Sequence, residues 1–331
     1  METVAEQFRK KIESEGRNER IRSYAPIILL LVGTLIMHVT NPLFLSAANI
    51  LNIMYQMSIP LVLATGLTFV LLIGSIDLSV EGLMGFSGSV ISLLVLNTRT
   101  PYDFGIWGIL FVIILTTAIG FFTGLLYVKM RIASFIITFA MGQIISGLAL
   151  LSYGQMPASV RWDVFRVLSD DLFLGVPYVT WIALAFFAFG CLVLHYTAFG
   201  KAVYAIGGNE AAAKASGINV DRVKIKIFMM SAFAASVAGL LGIIRLKIGQ
   251  VSIGTDQLFP VITALVLGGT ALTGGKGGML QTFIGVLIFT QLQNYLTMMG
   301  VHPFFRTALQ GIIIIIAVAL TINKSRKMII K

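Results

Sequence analysis

The chain has 331 residues, 57% of them hydrophobic and only 11% charged, with a formal net charge of +10. Soluble domains carry about 25% charged residues, so this composition excludes an ordinary water-exposed surface and implies a membrane protein. A single cysteine, Cys191, excludes a disulfide framework and a thiolate metal site; in its apolar surroundings it reads as a small buried hydrophobe. Residues 1–23 are charged and hold five of the 14 acidic residues, with no apolar core of a cleavable leader. They are expected to form a cytoplasmic tail.

A membrane span takes about 20 apolar residues. Ten such runs follow in order: 24–42, 47–74, 82–97, 105–128, 133–152, 177–197, 225–246, 259–274, 279–299 and 304–322. The second holds Pro60 and Gly66, which predict a kink or an unwound turn. The eighth opens at Phe259-Pro260 and ends in the glycine cluster LGGTALTGGKGG (267–278). Backbone of that kind is tolerated at membrane depth only inside protein or beside a water-filled cavity. The pair Gly120 and Gly124 in GFFTG permits close helix approach, either within the chain or between chains. GSIDLSVEG (74–82) and GGTALTGGKG (268–277) are faintly alike, as duplicated halves of a transporter would be.

The basic residues set the orientation. With the N-terminus inside, the inner segments hold the six of the N-terminal tail, Lys129, Arg131, the five within 198–226, Lys276 and the four of the C-terminal tail. The outer segments keep only Arg99, Arg161, Arg166, Arg245, Lys247 and Arg306. This bias places both termini in the cytoplasm and assigns the positive charge to topology rather than to nucleic acid. Residues 24–322 are expected to form the membrane domain with its cytoplasmic loop 198–224, and 323–331 the second tail. The expected fold is an all-α integral membrane protein of about ten spans.

Several activities lose their residues. GTALTGGKGG puts Gly275 where a phosphate-binding loop needs lysine and follows Lys276 with glycine. No HExxH or GxSxG occurs, and His38, His195 and His302 are scattered at span ends. No metal site or bound cofactor is expected, and a membrane enzyme lacks a convergent catalytic set. Asp77, Glu81 and Arg245 stand at span edges, leaving no ionisable group firmly inside a span. An ion-coupled carrier usually needs one. A stand-alone carrier or channel is therefore the alternative, and an energy-supplying partner the preference.

The segment IGGNEAAAKASGINVDRVK (206–224) interrupts the apolar sequence. Asn209 is a good N-cap, Glu210 suits the first turn, Ala211, Ala212 and Lys214 favour helix, and Gly217 is placed at C′. Two turns of helix are unstable alone in water, so something is expected to hold them. Either the bilayer surface or a groove on a cytoplasmic partner would serve.

GNEAAAKASGI (208–218) resembles the coupling loop of ATP-binding-cassette importer permeases. Together with GSIDLSVEG, AIGGN (205–209) and ALVLGGTALTGGKGG (264–278), the ordered set is similar to the ribose, galactose and xylose permeases over roughly residues 40–320. The family usually reads IDLSVG, whereas here Glu81 intrudes before Gly82. The resemblance implies a bacterial plasma-membrane permease with a second permease subunit, identical or not, and short broken helices lining a path at their interface. It further implies a cytoplasmic ATPase that uses ATP and Mg, and an extracytoplasmic sugar-binding protein. Residues 209–218 would couple ATPase closure to the bundle, with no covalent chemistry on this chain.

Asp77 and Ser79 lie in the family-like turn with Gly82, and Gly274 and Gly275 in the second glycine turn. Asp77 reads as a gate or, more simply, as the cap of the helix that follows. Candidate pathway groups are Asn52, Tyr55, Gln56, Thr65, Phe69, Gln143, Thr263 and Asn294, for which interhelical bonding is the competing role. Arg161, Asp163, Arg166, Asp170 and Asp171 in the outer loop 153–176 offer charges to a binding protein.

Overall fold

The computed structural model describes residues 24–154 and 156–321, so both expected tails lie outside the described residues. Each of the ten apolar runs contains one helix. These are α1 (Tyr24–Thr40), α2 (Ala47–Leu72), α3 (Val80–Leu94), α4 (Gly105–Met130) and α5 (Ser134–Tyr153), then α7 (Tyr178–Tyr196), α10 (Val220–Leu246), α11 (Leu258–Leu267), α12 (Met279–Met298) and α13 (Pro303–Thr321). Shorter helices α6 (Asp163–Asp170), α8 (Ala198–Gly208) and α9 (Glu210–Ala215) occupy the connections. By length and composition, α2, α4, α5, α7 and α10 can each cross a membrane.

The core sits around α2 and α10. Every residue from Leu61 to Leu72 is buried, as is most of α10, the state expected of helices apolar on all sides. In contrast α4, α5 and α7 turn large apolar side chains outward, among them Trp107, Ile114, Ile144 and Phe189. Such a surface would be an aggregation site in water; around a bundle it is a lipid-facing belt.

Small residues set the closest approaches. A Cβ on Gly66 would overlap Ala234, and one on Gly120 would come within 2.6 Å of the Phe228 carbonyl of α10. The GFFTG pair therefore packs α4 on α10 within the chain instead of offering a dimer contact. Of the two outcomes expected at Pro60, a kink or an unwound turn, the unwound turn does not occur, since α2 is helical throughout Ala47–Leu72.

The connections sort into two groups. Near α6, Ala158 pairs with Gly249 and Asn97 bridges Val160, while Arg99 Nη1 donates to the Met156 carbonyl at 2.6 Å. At the opposite end, near α9, the Gly275 N–H donates to the Leu72 carbonyl at 2.8 Å and the Tyr204 hydroxyl to the Gly277 carbonyl at 3.0 Å. These are the loop sets that alternating spans would put on opposite sides.

The two similar segments close their helices alike. After α2, Ser75 N–H bonds Val70 O and Gly74 N–H bonds Leu71 O; after α11, Thr270 N–H bonds Leu265 O and Gly269 N–H bonds Val266 O. Gly74 and Gly269 both take positive φ, +70° and +101°, so each helix ends in a Schellman motif. The turns also touch, because a Cβ on Gly274 would lie 2.7 Å from Gly74 N. The eighth run is helical only to Leu267, and its glycines form the packed turn that follows.

Candidate functional site

Local chemistry shapes α9 as the spacing predicts. Asn209 accepts from Ala212 N–H at 3.0 Å, closing the helix start. At the other end Gly217 has φ +85°, its N–H bonds Lys214 O, and Ile218 N–H bonds Ala213 O, each at 3.1 Å. Only Ala213 is buried, against Ile206 and Val220, while Glu210, Ala211, Ala212, Lys214 and Gly217 are exposed.

The holder that so short a helix needs is supplied within the chain. Besides the Ala213 contact, Lys224 Nζ lies 2.8 Å from Glu210 Oε1 and 5.3 Å from the Tyr127 ring centre. The Tyr127 hydroxyl is in turn 3.3 Å from Ser75 Oγ. Helix α9 is thereby tied to α10, to α4 and to the turn after α2. Glu210 and Lys224 are 14 positions apart, outside any helical spacing, which is why the sequence did not reveal the pair.

That turn holds a buried carboxylate. Asp77 is 1% exposed and accepts three hydrogen bonds: Ser79 N–H at 2.9 Å, Ser79 Oγ at 2.5 Å and Ser231 Oγ at 2.7 Å. It does not cap α3 as expected, because none of its bonds reaches an N–H of that helix; Ser79 occupies the N-cap position. Nor does Asp77 stand at a span edge. Ser231 lies eleven residues into α10, about 16 Å from its start. The reason is that residues 75–79 turn back into the bundle, with the Ile76 and Leu78 N–H groups donating to Ser134 and Thr138 of α5. Gly82 then lets α3 meet Gly142, and Gly274 and Gly275, at φ +82° and +75°, close the neighbouring turn.

The polar groups expected to line a path do not form one cluster. Asn52 accepts from Gln56 Nε2 at 3.1 Å, and Tyr55 lies 4.4 Å beneath the Arg245 guanidinium, all toward the α6 end. Gln143 is exposed on α5. Thr65, Phe69, Thr263 and Asn294 are buried inside the chain: the two threonines donate to carbonyls of their own helices and Phe69 stacks on Phe199. They occupy interhelical positions. Among the described residues the buried Asn294 Oδ1 has no hydrogen-bond partner.

A bundle of apolar helices, five of them long enough to cross a membrane, with a capped helix on one loop, is that of a multi-pass membrane protein. The chain belongs to the family described as branched-chain amino acid transport system / permease component, whose model matches residues 49–318. It is 35% identical over 318 residues to the ribose import permease protein of Bacillus subtilis, covering 96% of this chain and 97% of that one. The ribose import permease protein of Escherichia coli K12 is 34% identical over 299 residues, covering 88% and 91%. An L-arabinose ABC transporter permease protein of Azospirillum brasilense is 32% identical over 292 residues, covering 88% and 84%. No solved structure matches the chain.

Proposed function

We propose that this chain is the permease subunit of an ATP-driven importer of a monosaccharide or related small polyhydroxylated solute. The family model is named for branched-chain amino acids, but the curated relatives that the chain matches over most of its length are named for ribose and arabinose. The substrate proposal follows the relatives.

The observation that carries the coupling assignment is the outward face of α9: small, capped at both ends, and fastened through Lys224 to the core helices. Exposed alanines leave room for a groove on a partner ATPase to close over them. In this reading the α9 end is cytoplasmic, ten spans bring both termini there, and two permease subunits enclose the path in a bacterial plasma membrane. ATP and Mg act on the partner. ATP binding shifts the population of permease orientations through its unequal affinity for the two states. An extracytoplasmic sugar-binding protein docks at the α6 end.

The test is retention of a cytoplasmic ATPase subunit by the detergent-purified chain, repeated with residues 209–217 replaced by a Gly/Ser linker. Capture that depends on the native segment supports the reading; equal capture by both chains removes α9 from the interface. One observation favours a second reading, a stand-alone ion-coupled carrier: the buried Asp77 supplies the intramembrane carboxylate that the sequence lacked. Solute uptake by the chain alone in ion-loaded vesicles, abolished by Asp77→Asn, would establish that reading.

A further inference from the structure

The connection from α10 to α11 passes down through the bundle. After Leu246 it descends along α3: Gly249 lies against Ser92, Val251 against Gly85 and Gly254 against the Glu81 carbonyl. The Leu258 N–H then donates to Glu81 Oε1 at 2.9 Å. From Ser92 to Glu81 is eleven helical residues, or about 16 Å. The depth is confirmed from α5, where Gly142, the neighbour of Gly82, lies eight residues from one end and eleven from the other. Two helix starts, those of α3 and α11, therefore meet near mid-height, joined by a turn in which Asp256 takes φ +60°.

This turn is uncovered. Ser252, Thr255 and Asp256 are exposed, Glu81 and Gln257 are half-buried, and Asp256 stands two residues before Leu258, whose N–H Glu81 accepts. Elsewhere the outward side chains at membrane depth are mostly apolar, as at Ile114, Ile144 and Phe189, with Gln143 of α5 an uncharged exception. Carboxylates and irregular backbone at that depth do not face acyl chains; they border water or other protein.

We propose that Glu81, Thr255, Asp256 and Gln257 form a wall of the water-filled path, facing a second copy of the chain across it. The two carboxylates make the path acidic and admit neutral polyhydroxylated solutes in preference to anionic ones such as phosphorylated sugars. Direct contact between two such acidic patches would be repulsive, which keeps water between them. The selectivity rests on the permease reading, whereas the water exposure does not.

The test uses the full chain in native membranes, with Cys191→Ala and Thr255→Cys. Modification rates are measured with a cationic trimethylammonium-ethyl and an anionic sulfonatoethyl methanethiosulfonate, each normalised to its rate with a free thiol. A narrow cleft lined by one sign of charge changes local ion concentrations by about 10-fold or more, so the cationic reagent should react about tenfold faster. Adding Glu81→Gln and Asp256→Asn should bring the ratio near one. Ile144→Cys, on the apolar belt near the middle of α5, should resist both reagents. Labelling of Thr255→Cys only by a lipophilic maleimide would overturn the water-filled wall. A ratio unchanged by the two neutral substitutions would overturn the acidic selectivity. Neither result bears on ATPase capture, so loss of the importer reading would be seen separately.

Discussion

Ser231 and Asp77 join α10 to the re-entrant turn through a buried hydrogen bond of 2.7 Å. Among the described residues Ser231 is the only partner outside the turn itself, since the other two bonds come from Ser79. Removing one partner of a buried polar group costs about 1–3 kcal/mol. Ser231→Ala is therefore expected to lower the unfolding temperature in detergent. In a double-mutant cycle, Asp77→Ala and Ser231→Ala should together cost less than the sum of the single changes, because they remove one shared bond. Strict additivity would mean that the bond does not anchor the turn.

The positions of the apolar runs were legible because hydropathy reports helices directly. Helix α9 was legible to the residue, since Asn209 and Gly217 act through bonds only a few positions long. The course of residues 75–79 was not. Hydropathy places Asp77 and Glu81 at an edge, and only tertiary bonds to Ser134, Thr138 and Ser231 reveal that the edge lies inside the bundle. Likewise the glycines after Leu267 count as apolar and lengthened the eighth run. Helix α6 was missed because its apolar side rests on the single buried Phe165, too little for a span-length window.

Gly66 and Gly147 should respond oppositely to alanine. A Cβ at Gly66 would overlap Ala234 and lie 3.3 Å from the Ser231 backbone, whereas nothing stands within 4 Å of one at Gly147. Overpacking a helix contact costs about 1–3 kcal/mol, while replacing an unpacked helical glycine recovers about 0.5–1 kcal/mol. Thermal unfolding should show Gly66→Ala less stable and Gly147→Ala slightly more stable than the parent. Equal effects would contradict the close approach of α2 and α10.

At the α6 end, Lys247 Nζ lies 3.0 Å from Asp170 Oδ2. A hydrogen bond from Ser169, followed by the one from Lys247, holds the Asp170 carboxyl below its ordinary range. A depressed folded pKa contributes stability that is present above the unfolded value, about 3.9, and is lost as pH falls through the folded value. Cleavage of the segment around α6 by an acid-active protease should thus be flat from pH 7 to 5 and rise only below about pH 4. Asp170→Asn should remove the dependence. A rise centred near neutrality would assign the change to another group.

The last expectation concerns the exposed face of α9. Ala211 and Ala212 are outward and make no side-chain contact that the fold needs, while Ala213 packs inward. Arginine is a strong helix former, so Ala212→Arg should leave the folded bundle intact. Its bulk nevertheless fills the space that a partner groove must occupy. Solute uptake coupled to ATP hydrolysis should fall at least tenfold, a loss of about 1.4 kcal/mol or more in docking. The size-exclusion profile and unfolding temperature should stay unchanged. Glu210→Gln gives the complementary result: it removes the charge of an ion pair exposed on the Glu210 side but keeps an oxygen that can accept from Lys224, so stability should fall by no more than about 1 kcal/mol. Uptake should fall only if the Lys224 link transmits the partner's movement to Tyr127 and the turn after α2. Full uptake by Glu210→Gln with loss by Ala212→Arg would separate docking from transmission and leave the link structural.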